Sequence, residues 1–199
     1  MIRTRRVAPF AAGLILLGGV MPMDGERYSD SGAASILAAI DEVRSESATP
    51  TDAERDWLRT ILRMPIAGVS ASQLPDTFND PRGERRHEAL DIPAPRGTPV
   101  LSAADGRLLK LFLSRRGGLM VYAADPSDRF VLLYGHLDRY ADHLEEGAVL
   151  HQGQILGYVG TTGNASPAAP HLHFGILRVD DIRKWWQGVP IDPRPLLTP

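Results

Sequence analysis

The hydrophobic rhythm of the chain changes once, near Pro65. Over residues 31 to 64 apolar positions recur at helical spacing, with Ile36, Ile40 and Val43 in ASILAAIDEV and Trp57, Leu58, Ile61 and Leu62 in TDAERDWLRTILRM. The second stretch opens on a Thr51/Asp52 start after Pro50, and SESATPT between the two reads as a turn, so two short helices with a packing or positioning role are predicted. Beyond Pro65 the runs become short, β-branched and aromatic, punctuated by Gly, Pro, Asp and Asn, which predicts a sheet-rich domain. Asp105-Gly106, between TPVLSA and LLKLFL, and residues 125 to 128, between GLMVYA and FVLLYG, predict two hairpins. Gly147, Gly153, Gly157 and Gly160 within EEGAVLHQGQILGYVG predict tight strand reversals.

One of these runs carries chemistry. In HLHFG, from 171 to 175, strand alternation puts Leu172, Phe174 and Ile176 on one face and His171, His173 and Gly175 on the other. A surface strand that uses histidine on its polar side would also read this way, so other residues must decide. RRHEALDIPAPRGTPV supplies a second pair, His87 and Asp91. Four residues suit a helix face, but Pro93 and Pro95 would cut such a helix off, so an extended segment presenting both groups to one side is the simpler reading, against an ordinary surface pair.

The N-terminus adds a destination. In MIRTRRVAPFAAGLILLGGVM, Arg3, Arg5 and Arg6 precede an apolar run over residues 7 to 21, the layout of a secretory signal or an N-terminal membrane anchor. The run falls short of the roughly 20 residues that span a bilayer comfortably, yet no clear A-x-A cleavage site follows it. A buried core helix is disfavoured by the arginines, Pro9, the glycines and the polar GERYSDSG that comes next.

Composition narrows the chemistry. The 199 residues, 43% hydrophobic and 23% charged, suffice for one well-buried domain plus extra segments. A formal charge of −2 gives no electrostatic reason to expect nucleic acid as partner. The absence of cysteine excludes disulfides, thiolate zinc sites, a cysteine nucleophile and a lipidated cysteine, so any metal site must use His, Asp or Glu. His87, Asp91 and one histidine of HLHFG make two imidazoles and a carboxylate, the ligand set of a catalytic zinc site with an open fourth position. Spacing alone does not say which of His171 and His173 is the ligand.

With these residues in view, the sequence resembles the lysostaphin-type (LytM-like) zinc metallopeptidases, which cut peptide cross-bridges of bacterial peptidoglycan. The resemblance rests on RRHEALDIPAPRGTPV (85 to 100), ADG (104 to 106), YGHL (134 to 137), GQILGYVGTTGNA (153 to 165) and PHLHFGI (170 to 176), in the same order and separation. It covers residues 65 to 197, including MPIAG and KWWQGVPIDPRPLL, and leaves the N-terminal third unmatched. It implies a mainly β fold: a compact antiparallel LytM-like (duplicated hybrid motif) domain over 65 to 199, behind a helical segment at 26 to 64 and a signal peptide or anchor at 1 to 25. It also implies one Zn2+ per chain on His87, Asp91 and His173, with His136 and His171 as active-site histidines that are not ligands. Ala89 and Gly135 depart from the family's usual residues, and neither is a ligand.

The expectation is an exported zinc metalloendopeptidase of the periplasm or cell envelope. Its partners would be peptidoglycan stem peptides and cross-links, with the inner membrane added if the N-terminus is retained, and no nucleic acid. The alternatives are a non-catalytic LytM-like activator or binding module for another cell-wall hydrolase, and a zinc peptidase aimed at another exported protein. Regulatory members of the family commonly lack several of the ligands, so the intact set argues for catalysis. His143 and His151 are expected in solvent. Trp185 and Trp186 either pack the C-terminus or line a groove, and Asn164 suits a left-handed turn. Arg82, Arg85 and Arg86 either meet acidic stem peptides or form a solvated basic loop.

Overall fold

The computed structural model describes residues 50–197. The predicted signal or anchor segment and the first predicted helix lie outside these residues. The second helix is α1, Asp52–Ile61. Thr51 caps it: its hydroxyl accepts from the Glu54 amide at 3.2 Å, while the Glu54 carboxylate accepts from the Thr51 amide at 2.7 Å. Leu58 and Leu62 are completely buried in the main core, and Trp57 donates its indole N–H to Asp125 at 3.1 Å.

Glu54 does more than cap. Its side chain is only 5% exposed, and one carboxylate oxygen accepts from both Arg178, at 2.9 Å, and Arg129. Burial raises its carboxyl pKa, but the Thr51 amide and Arg178 more than offset this and leave it below the ordinary glutamate value. Removing one partner of such a cluster strands the others. Glu54→Ala is therefore expected to lower the unfolding free energy by about 3 kcal/mol, combining the lost ion pairs and the lost cap. A denaturant titration showing a loss under about 1 kcal/mol would refute the clasp.

After α1 the regular structure is strand, apart from 3-10 turns at Ala71–Gln73 and Ile182–Lys184. The strands are β1 Pro81–Arg82, β2 Arg85–Arg86, β3 Leu90–Pro93, β4 Pro99–Leu101, β5 Gly106–Ser114, β6 Gly118–Ala124, β7 Phe130–Tyr140, β8 Val149–Leu150, β9 Ile155–Val159, β10 His171–Arg178 and β11 Val189–Ile191. β1 and β2 form a separate hairpin, and the other nine form one sheet in which every pairing is antiparallel. The fold is the mainly β, antiparallel one expected.

The alternation in HLHFG is realised in β10. Leu172, Phe174 and Ile176 are completely buried, Phe174 packing on Tyr134 with ring centroids 5.3 Å apart. Burying such a side chain contributes about 1.5–3 kcal/mol. Tyr134 also uses its hydroxyl, which accepts from the Ala103 amide at 2.9 Å. One edge of β10 pairs with β7; the other is shared by β3 and β11. With its inner face filled by apolar side chains, β10 leaves His171 and His173 on the outer one.

The hairpin at residues 125 to 128 forms as expected between β6 and β7, with the buried Asp125 carboxylate accepting from the amides of Ser127, Arg129 and Phe130. The one expected at Asp105-Gly106 does not form. β4 pairs with β9, and β5 pairs with β6 and β8. At Gly106 the chain passes so close to β6 that a Cβ would lie 1.9 Å from the Ala124 carbonyl oxygen, so it changes neighbours there instead of reversing. The glycines of 147 to 160 divide similarly: Gly147 and Gly153 turn the chain with positive φ, whereas Gly157 and Gly160 let β9 and its end lie against the β7 backbone.

Candidate metal centre

Strand register builds the centre. In the β3–β10 ladder His173 stands opposite Asp91, and in the β7–β10 ladder it stands opposite Gly135. His87 arrives differently from the expected extended segment. β2 ends at Arg86, and Glu88 adopts φ +59°, so a left-handed turn separates His87 from β3. Two backbone hydrogen bonds hold that turn, His87 N to Asp80 O at 2.9 Å and Glu88 N to Phe78 O at 2.8 Å. Thr77 ties the two predicted residues together: its carbonyl accepts from His87 Nδ1–H at 3.0 Å, and its hydroxyl accepts from the Asp91 amide at 3.0 Å.

The result is a compact donor set. His87 Nε2 lies 3.0 Å from Asp91 Oδ1 and 3.0 Å from His173 Nδ1, and His173 Nδ1 lies 3.1 Å from Asp91 Oδ1. A tetrahedral zinc ion with bonds of about 2.0–2.1 Å requires donor separations of about 3.3 Å, so the residues fit such an ion. Burial raises the Asp91 carboxyl, yet its close contacts with the His173 and His87 rings and the nearby His171 outweigh it and leave the group well below the ordinary aspartate value. Burial pushes His173 the other way, below the usual histidine value, so a neutral imidazole faces an ionised carboxylate. Those are the protonation states a metal requires. Arg82 holds the second Asp91 oxygen at 3.1 Å.

His136 and His171 stand beside this set, their rings 4.9 Å apart and His136 5.4 Å from His173. Regular alternation would put His136 on the same side as Tyr134, inside the core. A bulge prevents it: the β6–β7 register steps from Val121–Tyr134 to Leu119–Leu137, two residues on β6 against three on β7. His136 takes φ +58°, a conformation costing a non-glycine residue about 1–3 kcal/mol, and its amide donates to Gly117 O at 2.7 Å. Its Nδ1–H donates to Thr162 O at 2.8 Å, and burial first, then the neighbouring imidazoles, lower its pKa to about 4. His171 Nδ1–H donates to Ala169 O at 2.8 Å, and its Nε2 lies 3.5 Å from Asp91 Oδ1.

All five predicted site residues therefore line one cavity of about 730 Å³. Arg82, Arg85, Arg86 and Asn164 line it too, while His143 and His151 are exposed elsewhere, as expected. Trp185 packs on Tyr122 with ring centroids 4.5 Å apart, and Trp186 is largely exposed. Sequence reasoning missed Arg116 and Ser166, which line the cavity, and the orienting roles of Thr77 and Thr162. Both threonines act on the histidines through main-chain carbonyls, which carry no residue signature.

A His-Asp-His donor set flanked by two further imidazoles on an antiparallel sheet is the kind of centre a metallopeptidase uses. The chain belongs to peptidase family M23, whose profile matches residues 85–193. It is 33% identical over 129 residues to the L-Ala–D-Glu endopeptidase of Bacillus subtilis (strain 168), covering 61% of this chain and 38% of that protein. It is also 33% identical over 133 residues to the peptidoglycan DD-endopeptidase ShyC of Vibrio cholerae serotype O1, covering 65% of this chain and 29% of that protein. The chain thus spans well under half the length of these relatives. Among solved structures, the LytM protein of Ruminococcus gnavus superposes with a TM-score of 0.58 at 23% identity, over 86% of this chain and 72% of that one, and shares the fold.

Proposed function

We propose that the chain is an exported zinc endopeptidase that hydrolyses peptide cross-links of bacterial peptidoglycan in the periplasm or cell envelope. His87, Asp91 and His173 would hold the ion, with His171 and His136 acting beside it. The observation that carries this reading is the meeting of three donor atoms at 3.0–3.1 Å beside two further imidazoles that line the same cavity. The bonds and polymer named for the two relatives support cell-wall peptide amides as the substrate class. Export is supported by Arg3, Arg5 and Arg6 ahead of the apolar run at 7 to 21, which would tie the protein to the inner membrane if retained. Among the described residues no helix is long and apolar enough to cross a membrane.

When bound, zinc supplies a water acidified to a pKa of about 7 and Lewis-acid polarisation of the scissile carbonyl. The chain's own groups handle the protons. A carbonyl can only accept, so the bonds to Thr162 O and Ala169 O place the proton of each ring on Nδ1 and leave Nε2 open. His171 Nε2 is the general base, taking the proton of the attacking water and returning it to the leaving amine. His136 Nε2, open in the same way and lining the same cavity, is placed to share that proton transfer.

Mass spectrometry of purified cross-linked stem-peptide dimers tests the proposal. Incubation with the zinc-loaded protein is expected to convert dimers to monomers, and chelation is expected to stop the conversion. If the folded, zinc-loaded protein leaves every species unchanged, the reading fails and that of a docking module for another hydrolase takes its place.

A further inference from the structure

The cavity carries a charge pattern that the metal centre does not need. The whole chain is formally −2, yet four arginines, 82, 85, 86 and 116, face the cavity against two acidic residues, Glu88 and Asp91. Two of the four are engaged: Arg82 donates to Asp91, and Arg86 Nη1 donates to Asn79 at 2.7 Å. Arg85 and Arg116 have no side-chain hydrogen bond or ion pair among the described residues. Unpaired guanidinium groups on an open surface would mean little; in a cavity they focus the field on whatever enters it.

Both are mounted on the segments that deliver the site histidines. Arg85 belongs to β2, the strand that leads into His87 and is anchored there by the His87 amide on Asp80 O at 2.9 Å. Arg116 sits in the β5–β6 turn, pinned from two sides. Gly117 O accepts from the His136 amide at 2.7 Å, and Arg116 O accepts from the Asn164 amide at 2.9 Å. Gly163 makes the second contact possible: at φ +76° a Cβ there would fall 2.1 Å from Arg116 O and 2.4 Å from the Gly118 nitrogen. A displacement of either arginine's backbone would therefore displace a site histidine. The fold thus anchors the backbone of both arginines to the site.

We propose that Arg85 and Arg116 read a free carboxylate on the substrate, so that the cavity selects anionic peptides whose carboxylate lies beside the scissile amide. The guanidinium fork matches a carboxylate with two parallel N–H bonds, a geometry that a neutral carboxamide cannot reproduce. Neither residue touches the proposed ligand atoms, so their part is selection of substrate. The inference rests on the endopeptidase reading above and adds the chemical class of the substrate to it.

The test uses a synthetic cross-linked stem-peptide dimer with its carboxylates free and the same dimer with each converted to a primary carboxamide. For the zinc-loaded wild type, kcat/KM is expected to be about 10-fold or more higher for the acid than for the amide, the discrimination of one charge-assisted contact. The ratio should approach one in the Arg85→Gln/Arg116→Gln protein and stay high in Arg115→Gln, whose side chain lies outside the cavity. Equal cleavage of acid and amide by the wild type overturns the inference while leaving the endopeptidase reading intact. A ratio that survives in the double variant also overturns it, because the carboxylate is then read elsewhere. If neither peptide is cleaved, the endopeptidase reading fails, and fluorescence anisotropy with the labelled pair decides the inference separately. Preferential binding of the acid that is lost in the double variant upholds it; equal or absent binding overturns it.

Discussion

His173→Ala is expected to lose stoichiometric zinc and, with it, all measurable conversion of cross-linked dimers to monomers. The substitution removes one of the three proposed protein donors. Mutating even an outer-shell partner of a metal ligand costs about 10–100-fold in affinity, so losing a direct donor is expected to cost at least about 10²-fold. The fold has little reason to fail with the site. His173 contributes to the ladders with β3 and β7 through its backbone, and those pairings survive truncation of a side chain that is itself partly exposed. Zinc per chain, measured by elemental mass spectrometry after dialysis, should fall from one to near zero, with an unchanged circular dichroism spectrum. His151→Ala, at an exposed ring 4.0 Å from Asp105, should retain the metal. A His173→Ala protein that keeps one zinc and cleaves at the wild-type rate would refute the donor assignment.

What could be read in advance follows from how local each determinant is. The two faces of HLHFG depend on alternation alone, and β10 shows them in full. The start of α1 depends on Thr51 and Glu54, three residues apart, and the β6–β7 turn on Asp125 and its immediate followers. The choice of strand neighbour is not local. TPVLSA and LLKLFL look like the arms of a hairpin, but β4 pairs with the distant β9, while β5 pairs with the next strand, β6, and with the distant β8, and no pattern within either run encodes this. The site shows the same division. His87, Asp91, His136, His171 and His173 stand out by residue type, whereas the devices that bring them together are backbone conformations. Glu88 and His136 both take positive φ, and neither a glutamate nor a histidine announces that. For His136 the consequence is large, because simple alternation in β7 would have sent it into the core beside Tyr134. Residue type marked the chemistry; strained, non-glycine turns and a bulge placed it.

The second large effect separates proton transfer from metal binding. His171→Ala is expected to lower kcat for dimer cleavage by about 10²–10⁴-fold, the usual worth of a positioned general base, while zinc stays at one per chain. His171 approaches the donor set at Asp91 Oδ1, at 3.5 Å, and the three mutual distances of 3.0–3.1 Å among His87, Asp91 and His173 do not involve it. Its Nδ1–H is committed to Ala169 O, which fixes both the tautomer and the ring plane, so Nε2 is aimed before substrate arrives. Because the lost function is proton transfer, free imidazole diffusing into the open cavity should restore part of the rate to His171→Ala and none to His173→Ala. KM should move little, since His171 acts during the reaction and not in holding the peptide. Full zinc occupancy with a near-wild-type rate would show that His171 is not the base and pass that role to His136. That outcome would be informative in its own right, because a buried base with a pKa lowered to about 4 would have to take its proton as charge develops, not before.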